Sequence, residues 1–245
     1  MMKGILDTVL APSASFEDTN AVVLLSGGQD SMTILHLAAR HHANVFAIGF
    51  SYGQKHDVEL LAAADEAKSI GVPYNVLNMR ALGMVGNSAL TTHTHTDTAR
   101  PHDDMAGVPA SFVPARNAMF LTLAHAYALH PAIQADYVYG GMCQTDYSGY
   151  PDCRAVFIEA LQTALNIGYN AEVVFETPLM YLTKAETFQL AGELGVLDRI
   201  INNSRTCYNG SDYVNAWGYG CGECPACDLR RKGYNEFVTE RNLKV

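Results

Sequence analysis

The chain has 245 residues, 49% of them hydrophobic and 17% charged. That is enough apolar surface for one α/β domain with a sizeable core, or for such a domain with a small appendage, and too much for a disordered chain. Its 25 acidic and 16 basic residues leave a net charge of −9, with no run of Lys or Arg to offset it locally, which argues against a general nucleic-acid or anionic-membrane binder. No apolar window reaches the ~18 residues of a membrane span, and Met1 to Asn20 lacks the continuous apolar stretch of a signal peptide, so a cytoplasmic location is expected.

Ala21-Val-Val-Leu-Leu25 is a short apolar run that stops at Ser26-Gly27-Gly28, the pattern of a buried parallel strand entering a tight turn. A helical pattern follows from Ser31 to Arg40, then a second buried strand over Val45 to Phe50. Asp57 to Ile70 reads as a helix ending at Gly71, and Pro73 to Met79 as a third strand. Strand, helix, strand, helix, strand is the order of a parallel sheet covered on both faces. Periodicity fades from Met84 to Pro109, a segment rich in Thr, His, Asp and Gly that reads as a functional lid or mobile loop. His93 and His95 in it read as solvated loop histidines, because no third ligand lies nearby in sequence.

Ala115 to His130 is the clearest helix, with Phe120, Leu123, Ala124 and Tyr127 on one face and Pro131 beyond its end. Asp136 to Tyr139 reads as a fourth strand, Cys153 to Gly168 as a helix and Glu172 to Phe175 as a fifth strand. Thr183 to Leu194 reads as a helix capped by Thr183, with Glu186 three residues on as its reciprocal partner. The expected divisions are an N-terminal extension over 1–20, a doubly wound α/β domain over 21–203, and a metal-binding segment with a helix over 204–245.

Ser26-Gly-Gly-Gln-Asp-Ser31 lies between a strand and a helix. Its glycines let backbone approach a ligand, and the helix start offers free N–H groups, so an anion such as phosphate is the expected guest. The spacing matches neither the nucleotide-hydrolase loop nor the dinucleotide fingerprint. It resembles the loop of the ATP pyrophosphatase (PP-loop) superfamily, which cleaves ATP to AMP and pyrophosphate. That resemblance implies ATP binding by Leu25, Ser26, Gly27, Gly28, Gln29, Asp30 and Ser31, with Asp30 helping to hold Mg²⁺. In such chemistry a carboxylate or carbonyl oxygen attacks the α-phosphorus, and a lysine is a natural stabiliser of the departing charge. Lys184 is the candidate, since a lysine at a helix start opposes the helix dipole unless a ligand justifies it.

Four of the six cysteines fall late in the chain: Cys207, Cys221, Cys224 and Cys227. Two-residue gaps let successive sulfurs converge on one tetrahedral ion, and four thiolates leave no open position, so the reading is a structural zinc. An iron–sulfur cluster or redox thiols are the alternatives. Asp228 to Glu240 reads as a helix locked onto the site.

With those residues in place, the chain from about Ala21 to about Phe237 resembles the 7-cyano-7-deazaguanine synthase family (QueC). The motifs that carry the likeness are the loop Ser26 to Ser31, Tyr52-Gly-Gln-Lys-His56, Phe112-Val-Pro-Ala-Arg-Asn117, Thr145-Asp-Tyr-Ser-Gly-Tyr-Pro-Asp-Cys-Arg154, Thr177-Pro-Leu to Lys184-Ala-Glu186, and the four cysteines. The resemblance implies ATP, Mg²⁺, structural Zn²⁺ and a homodimer. It implies 7-carboxy-7-deazaguanine as substrate, with ammonia converting the carboxylate to an amide and a second activation giving the nitrile. Tyr52, Gln54, Lys55, His56, Arg116, Asn117, Asp146, Tyr147, Ser148 and Gly149 are the implied substrate residues, and Asp30, Lys184, Lys55 and Arg116 the implied catalytic ones.

Ser51 and Gln144 stand where family members often carry acidic residues, about twenty residues precede the first strand, and 13 residues separate Cys207 from Cys221. Losing two carboxylates bears on the nitrile step if either acts as a base. The alternative reading is therefore a synthase-like ligase of an anti-phage defence system, which joins the activated deazaguanine to a protein amine without forming nitrile. A tRNA-thiolating relative and a zinc-stabilised nucleotide-binding module are the remaining readings; the acidic charge counts against direct nucleic-acid binding.

Overall fold

The computed structural model describes residues 4–9, 16–54, 57–85, 88–91, 98, 100–102, 105–144 and 150–243. In chain order the elements are α1 (Leu6–Val9), β1 (Asn20–Leu24), α2 (Gln29–His41), β2 (Asn44–Ser51), α3 (Val58–Ser69), β3 (Tyr74–Asn78), α4 (Arg80–Val85), α5 (Arg116–Ala128), β4 (Tyr137–Tyr139), a 3₁₀ turn (Pro151–Cys153), α6 (Ala155–Tyr169), β5 (Val174–Glu176), α7 (Lys184–Glu193), α8 (Leu197–Asn203), β6 (Val214–Asn215), β7 (Gly218–Tyr219) and α9 (Pro225–Leu243). The first five strands form one sheet in the order β3-β2-β1-β4-β5, and every neighbouring pair is parallel.

The near-continuous apolar runs follow from burial on both faces. Ala21, Val23 and Leu25 join Val45 and Ala47 in a core covered by α2, α3, α7 and α8. Val22 and Leu24 join Ile48 and Phe50 on the opposite face, where α5 and α6 cover them. Successive residues of β1 thus serve alternate cores, which fixes its register against a one-residue slip. This is the doubly wound parallel sheet that the pattern predicts. Strand order reverses direction between β1 and β4, so a crevice opens at their carboxyl ends, where α/β sheets of this kind bind ligands.

Some boundaries and two segments differ from expectation. Helix α2 begins two residues early, at Gln29, because Gly28 caps it through extended backbone with no side-chain hydrogen bond. Thr183 and Glu186 form the reciprocal capping box at α7. Helix α8 has no polar cap, with Val196 at its start, and was not foreseen. The described parts of the Met84 to Pro109 segment are not a free lid: α4 runs into it, Ala89 N–H donates to Ala110 O at 2.7 Å, and Pro101 bridges Pro109. Leu90 is buried in the core. His93 and His95 lie outside the described residues.

Candidate active site and metal cluster

A cavity of about 340 Å³ opens at the carboxyl ends of β1, β2 and β4. Its floor is the loop after β1. Gly27 is held at φ +89°, and a Cβ there would stand 1.9 Å from the Glu59 carbonyl oxygen, so only glycine lets α3 pack against the loop. Ser26 N–H donates to Ser31 Oγ at 3.2 Å, and Gly28 N–H to Ser26 Oγ at 3.4 Å. The amides of Asp30 and Ser31, in the first turn of α2, have no intrahelical acceptor, and both residues line the cavity. The loop after β4 closes in from the other side: a Cβ on Gly141 would lie 3.2 Å from Asp30 Cβ.

Lys184, at the start of α7, reaches across to this loop. Its Nζ donates to both carboxylate oxygens of Asp30, at 3.0 and 2.9 Å, with the lysine side chain 11% exposed and that of Asp30 28% exposed. Helix α9 leaves room for it, since a Cβ on Gly233 would lie 2.5 Å from Lys184 Cβ. That mid-helix glycine, costly by propensity, is thereby explained.

The far wall holds several of the remaining predicted residues. Tyr52 is buried against Phe120, and burial pushes its hydroxyl up to about 12. Gln54 folds back on its own turn, accepting from Tyr52 N–H at 2.8 Å and donating to Phe50 O at 3.1 Å. Arg116 is half-buried, with its guanidinium 5.5 Å from the Tyr150 ring centre. Asn117 spends its amide on Asp152 O and Cys153 Sγ, tying α5 to the 3₁₀ turn. The structure thus brings Leu25, Ser26, Gly28, Gln29, Asp30, Ser31, Tyr52, Gln54, Arg116, Asn117 and Lys184 to one cavity, with Gly27 in the turn beneath. Lys55, His56, Asp146, Tyr147, Ser148 and Gly149 lie outside the described residues.

Several polar groups in or beside the cavity escaped sequence reading. Glu59, on the first turn of α3, lines the cavity; burial pushes its carboxyl up to about 7, against the pull of Arg116 and a hydrogen bond from Gln54. Tyr208 hydroxyl lies 3.4 Å from that of Tyr150, which donates to Ser111 Oγ at 2.7 Å. Arg230, 1% exposed, donates to the last carbonyls of α8 and to Thr206 Oγ1; a Cβ on Gly218 would strike its Nη2. Glu59 and Arg230 stand at unremarkable positions in helices, and only their convergence gives them a role. The nearest local signal is the two glycines, Gly218 and Gly233, around Arg230 and Lys184.

The four predicted cysteines form a cluster next to the cavity. Their sulfurs lie within 4.8 Å of one another, with Cys221 and Cys227 at 3.9 Å. Tetrahedral coordination at a Zn–S bond of about 2.3 Å requires sulfurs about 3.8 Å apart, so the set fits a metal. Backbone N–H groups of Glu223 and Cys224 and the Asn209 amide point at Cys221 Sγ, each at 3.4 Å, an arrangement suited to a thiolate. Helix α9 starts at Pro225, earlier than predicted, so Cys227 sits in its first turn. The cluster adjoins the cavity directly: Thr206, Tyr208, Ala226 and Leu229 form part of the wall.

Fold and site define a doubly wound α/β protein with a glycine loop between β1 and α2 and a four-cysteine cluster. A family model described as "Queuosine biosynthesis protein QueC" matches residues 20–238, and the chain belongs to that family. It is 45% identical over 231 residues to a 7-cyano-7-deazaguanine synthase of Wolinella succinogenes, covering 94% of this chain and 98% of the relative. It is 44% identical to one of Bacteroides fragilis, covering 92% and 99%. Among solved structures, the U34-tRNA thiolase NcsA from Methanococcus maripaludis, with its 4Fe-4S cluster, matches with a TM-score of 0.51 at 16% identity, over 97% of this chain and 72% of that one; likeness at that level shows the shared fold alone. No helix among the described residues is long and apolar enough to cross a membrane.

Proposed function

We propose that the protein uses ATP to activate the carboxylate of 7-carboxy-7-deazaguanine, converts it to the amide with ammonia, and activates the amide a second time to give 7-cyano-7-deazaguanine. Family membership and the relatives' names support the substrate class. The observation that carries the chemistry is the convergence of Lys184 on Asp30 at the mouth of the loop, from 154 residues away in sequence.

In this reading Leu25 to Ser31 receive the phosphates, through the Asp30 and Ser31 amides that have no intrahelical acceptor and the positive dipole end of α2. Asp30, a hard oxygen ligand, would hold Mg²⁺, which supplies charge neutralisation at the phosphoryl oxygens. Lys184 stabilises charge on the departing pyrophosphate. The substrate carboxylate forms the new bond to the α-phosphorus, and the bond to pyrophosphate breaks with its electron pair. Ammonia then displaces AMP from the acyl group. Arg116 holds the substrate's anionic group, and Lys55, His56, Asp146, Tyr147, Ser148 and Gly149 keep the substrate roles that the resemblance gives them.

Two N–H protons must leave on the way from amide to nitrile. Glu59, with its carboxyl brought to the neutral range, is the cavity's acceptor for them, so the acidic residues missing at Ser51 and Gln144 do not remove the only carboxylate. Gln144 serves instead as a brace, its Oε1 accepting from Ala155 N–H at 3.1 Å. The four cysteines hold one structural Zn²⁺, and the 204–245 segment thereby closes a cavity built on the 21–203 domain.

The test incubates pure protein with ATP, Mg²⁺, 7-carboxy-7-deazaguanine and ¹⁵N-ammonia and reads products by mass spectrometry. Labelled nitrile with AMP and pyrophosphate is expected. Amide that never advances despite excess ATP overturns the nitrile step and favours conjugation to a protein amine. No AMP or pyrophosphate with any deazaguanine overturns the reading altogether.

A further inference from the structure

Arg205 lies outside the phosphate-loop, substrate and cysteine motifs. It follows α8 and runs across the mouth of the loop: its backbone N–H donates to Gly27 O at 2.8 Å, and the Thr206 hydroxyl beside it accepts from Gln29 N–H at 3.3 Å. Its guanidinium lies over the Tyr219 ring, 3.2 Å from the centre, which fixes its plane and removes the rotamer freedom that a surface arginine would lose on binding. Asp212 Oδ1 stands 3.9 Å from Nε on a side chain that is 77% exposed, too far for a hydrogen bond and too solvated to compensate a buried charge.

Nε and Nη1 of Arg205 are shielded from solvent with no hydrogen-bond partner among the described residues. The same is true of both amide atoms of Gln29, a side chain 1% exposed, and of Nε of Arg230. Orphaned buried polar atoms are uncommon in folded proteins, and charged ones the more so. Here they come from α2, α9 and the segment between α8 and the cysteines, and one hydroxyl ties the three together: Thr206 Oγ1 accepts from both Gln29 N–H and Arg230 Nη1. The Arg205 and Arg230 guanidinium groups repel one another, and the nearby anions, Asp30 and the Cys227 sulfur, act on Arg230, with Asp30 also bound to Lys184. Gln29, Asp30, Lys184 and Arg205 line the same cavity. Unspent donors and a fixed guanidinium at a phosphate-type loop describe a site that an anion rich in acceptor oxygens completes.

We propose that Arg205 holds the β- and γ-phosphoryl oxygens of the bound nucleotide and retains the pyrophosphate as it departs, with Gln29 as its neutral partner. This rests on the ATP reading above and adds to it a residue that touches the leaving group. As the α-phosphorus takes its new oxygen, the bond to the β-phosphate oxygen breaks and the electron pair passes to pyrophosphate. Arg205 meets that charge with its Nε and Nη1 N–H groups, which have no acceptor among the described residues, and no proton transfer is required.

The test is calorimetric titration of the zinc-loaded full chain with Mg²⁺-pyrophosphate and, separately, with AMP. Arg205→Met keeps an unbranched stem over Tyr219 and removes every donor. It is expected to weaken pyrophosphate binding at least tenfold and AMP binding less than twofold, with zinc content unchanged, and Arg205→Lys to fall between. In the wild-type protein, the Arg205 Nε–H resonance is expected to shift and become protected from exchange on adding pyrophosphate but not AMP, which serves if Arg205→Met fails to fold. Unchanged pyrophosphate affinity in Arg205→Met, or parallel weakening of both ligands with loss of zinc, overturns the proposal and leaves the ATP reading standing. Wild-type protein that binds neither pyrophosphate nor, in a third titration, Mg²⁺-ATP overturns both. Neither titration contains a deazaguanine, so the outcome is independent of which substrate is activated.

Discussion

Replacing Asp30 with alanine isolates what the Lys184 pair contributes. The lysine side chain is 11% exposed and makes two hydrogen bonds to the carboxylate, at 3.0 and 2.9 Å. Removing one partner of a fully buried pair costs ~3–5 kcal/mol, because the surviving charge is left desolvated. Asp30 is 28% exposed, so water reaches the site and about 2–3 kcal/mol is the expected loss for Asp30→Ala. Lys184→Met leaves a carboxylate that solvent can reach and should cost about 1 kcal/mol. In the double variant the desolvated lysine charge is removed together with Asp30, so its loss should fall below that of Asp30→Ala by about 1 kcal/mol. Urea denaturation of zinc-replete protein, with slopes compared to verify that the unfolding unit is unchanged, measures all three. ATP-dependent pyrophosphate release should vanish in each, and zinc content should remain. Asp30→Ala within about 0.5 kcal/mol of wild type, or a double variant as unstable as the sum of the singles, would refute the reasoning.

Three further outcomes follow from single contacts. Gly27→Ala should be destabilised by more than about 2 kcal/mol, since positive φ alone costs ~1–2 and the new Cβ meets the Glu59 carbonyl; ATP-analogue binding should be lost with it, and a soluble, binding-competent variant would count against the packing argument. Glu66 is 2% exposed; burial pushes its carboxyl up, but hydrogen bonds from His36, Asn203 and Arg199 outweigh this and bring it down to about 2. Its folded value lies below the unfolded one, so its contribution is complete above about pH 4.5 and fades as pH falls towards 2. Allowing for the exposure of Arg199, roughly 2 kcal/mol should disappear over that window, and Glu66→Gln should abolish this part of the pH dependence in acid denaturation. For Glu59 the shift is upward, to about 7, so nitrile formation should rise with pH through that value and Glu59→Gln should slow the amide-to-nitrile step at least tenfold; a flat profile in both proteins removes Glu59 as the acceptor.

Local patterns carried much of the fold. Apolar runs halted by glycine marked β1, β2 and β4, because a strand buried on both faces needs no alternation. The Thr183 to Glu186 capping box, a purely local device, stood where its spacing put it, and the Cys221, Cys224 and Cys227 spacing placed three sulfurs together before any tertiary contact was known. Helix α8 was invisible because Val196 offers no capping side chain and its C-terminal carbonyls are satisfied by Arg230, 30 residues from Ile200. Arg205, Glu59 and Arg230 were missed for the same reason: their roles depend on tertiary convergence and burial. Gln54 and Asn117, predicted to meet substrate, line the cavity but spend much of their hydrogen-bonding capacity on the turns that shape it.

The central claim, that oxygen of the substrate carboxylate attacks the α-phosphorus, is tested by oxygen transfer. With both carboxylate oxygens of 7-carboxy-7-deazaguanine labelled as ¹⁸O, the first AMP released should carry one label, the amide should retain the other, and the second AMP should carry it away as nitrile forms. Labelled inorganic phosphate or pyrophosphate, or unlabelled AMP beside labelled water, would contradict adenylation at the carboxylate.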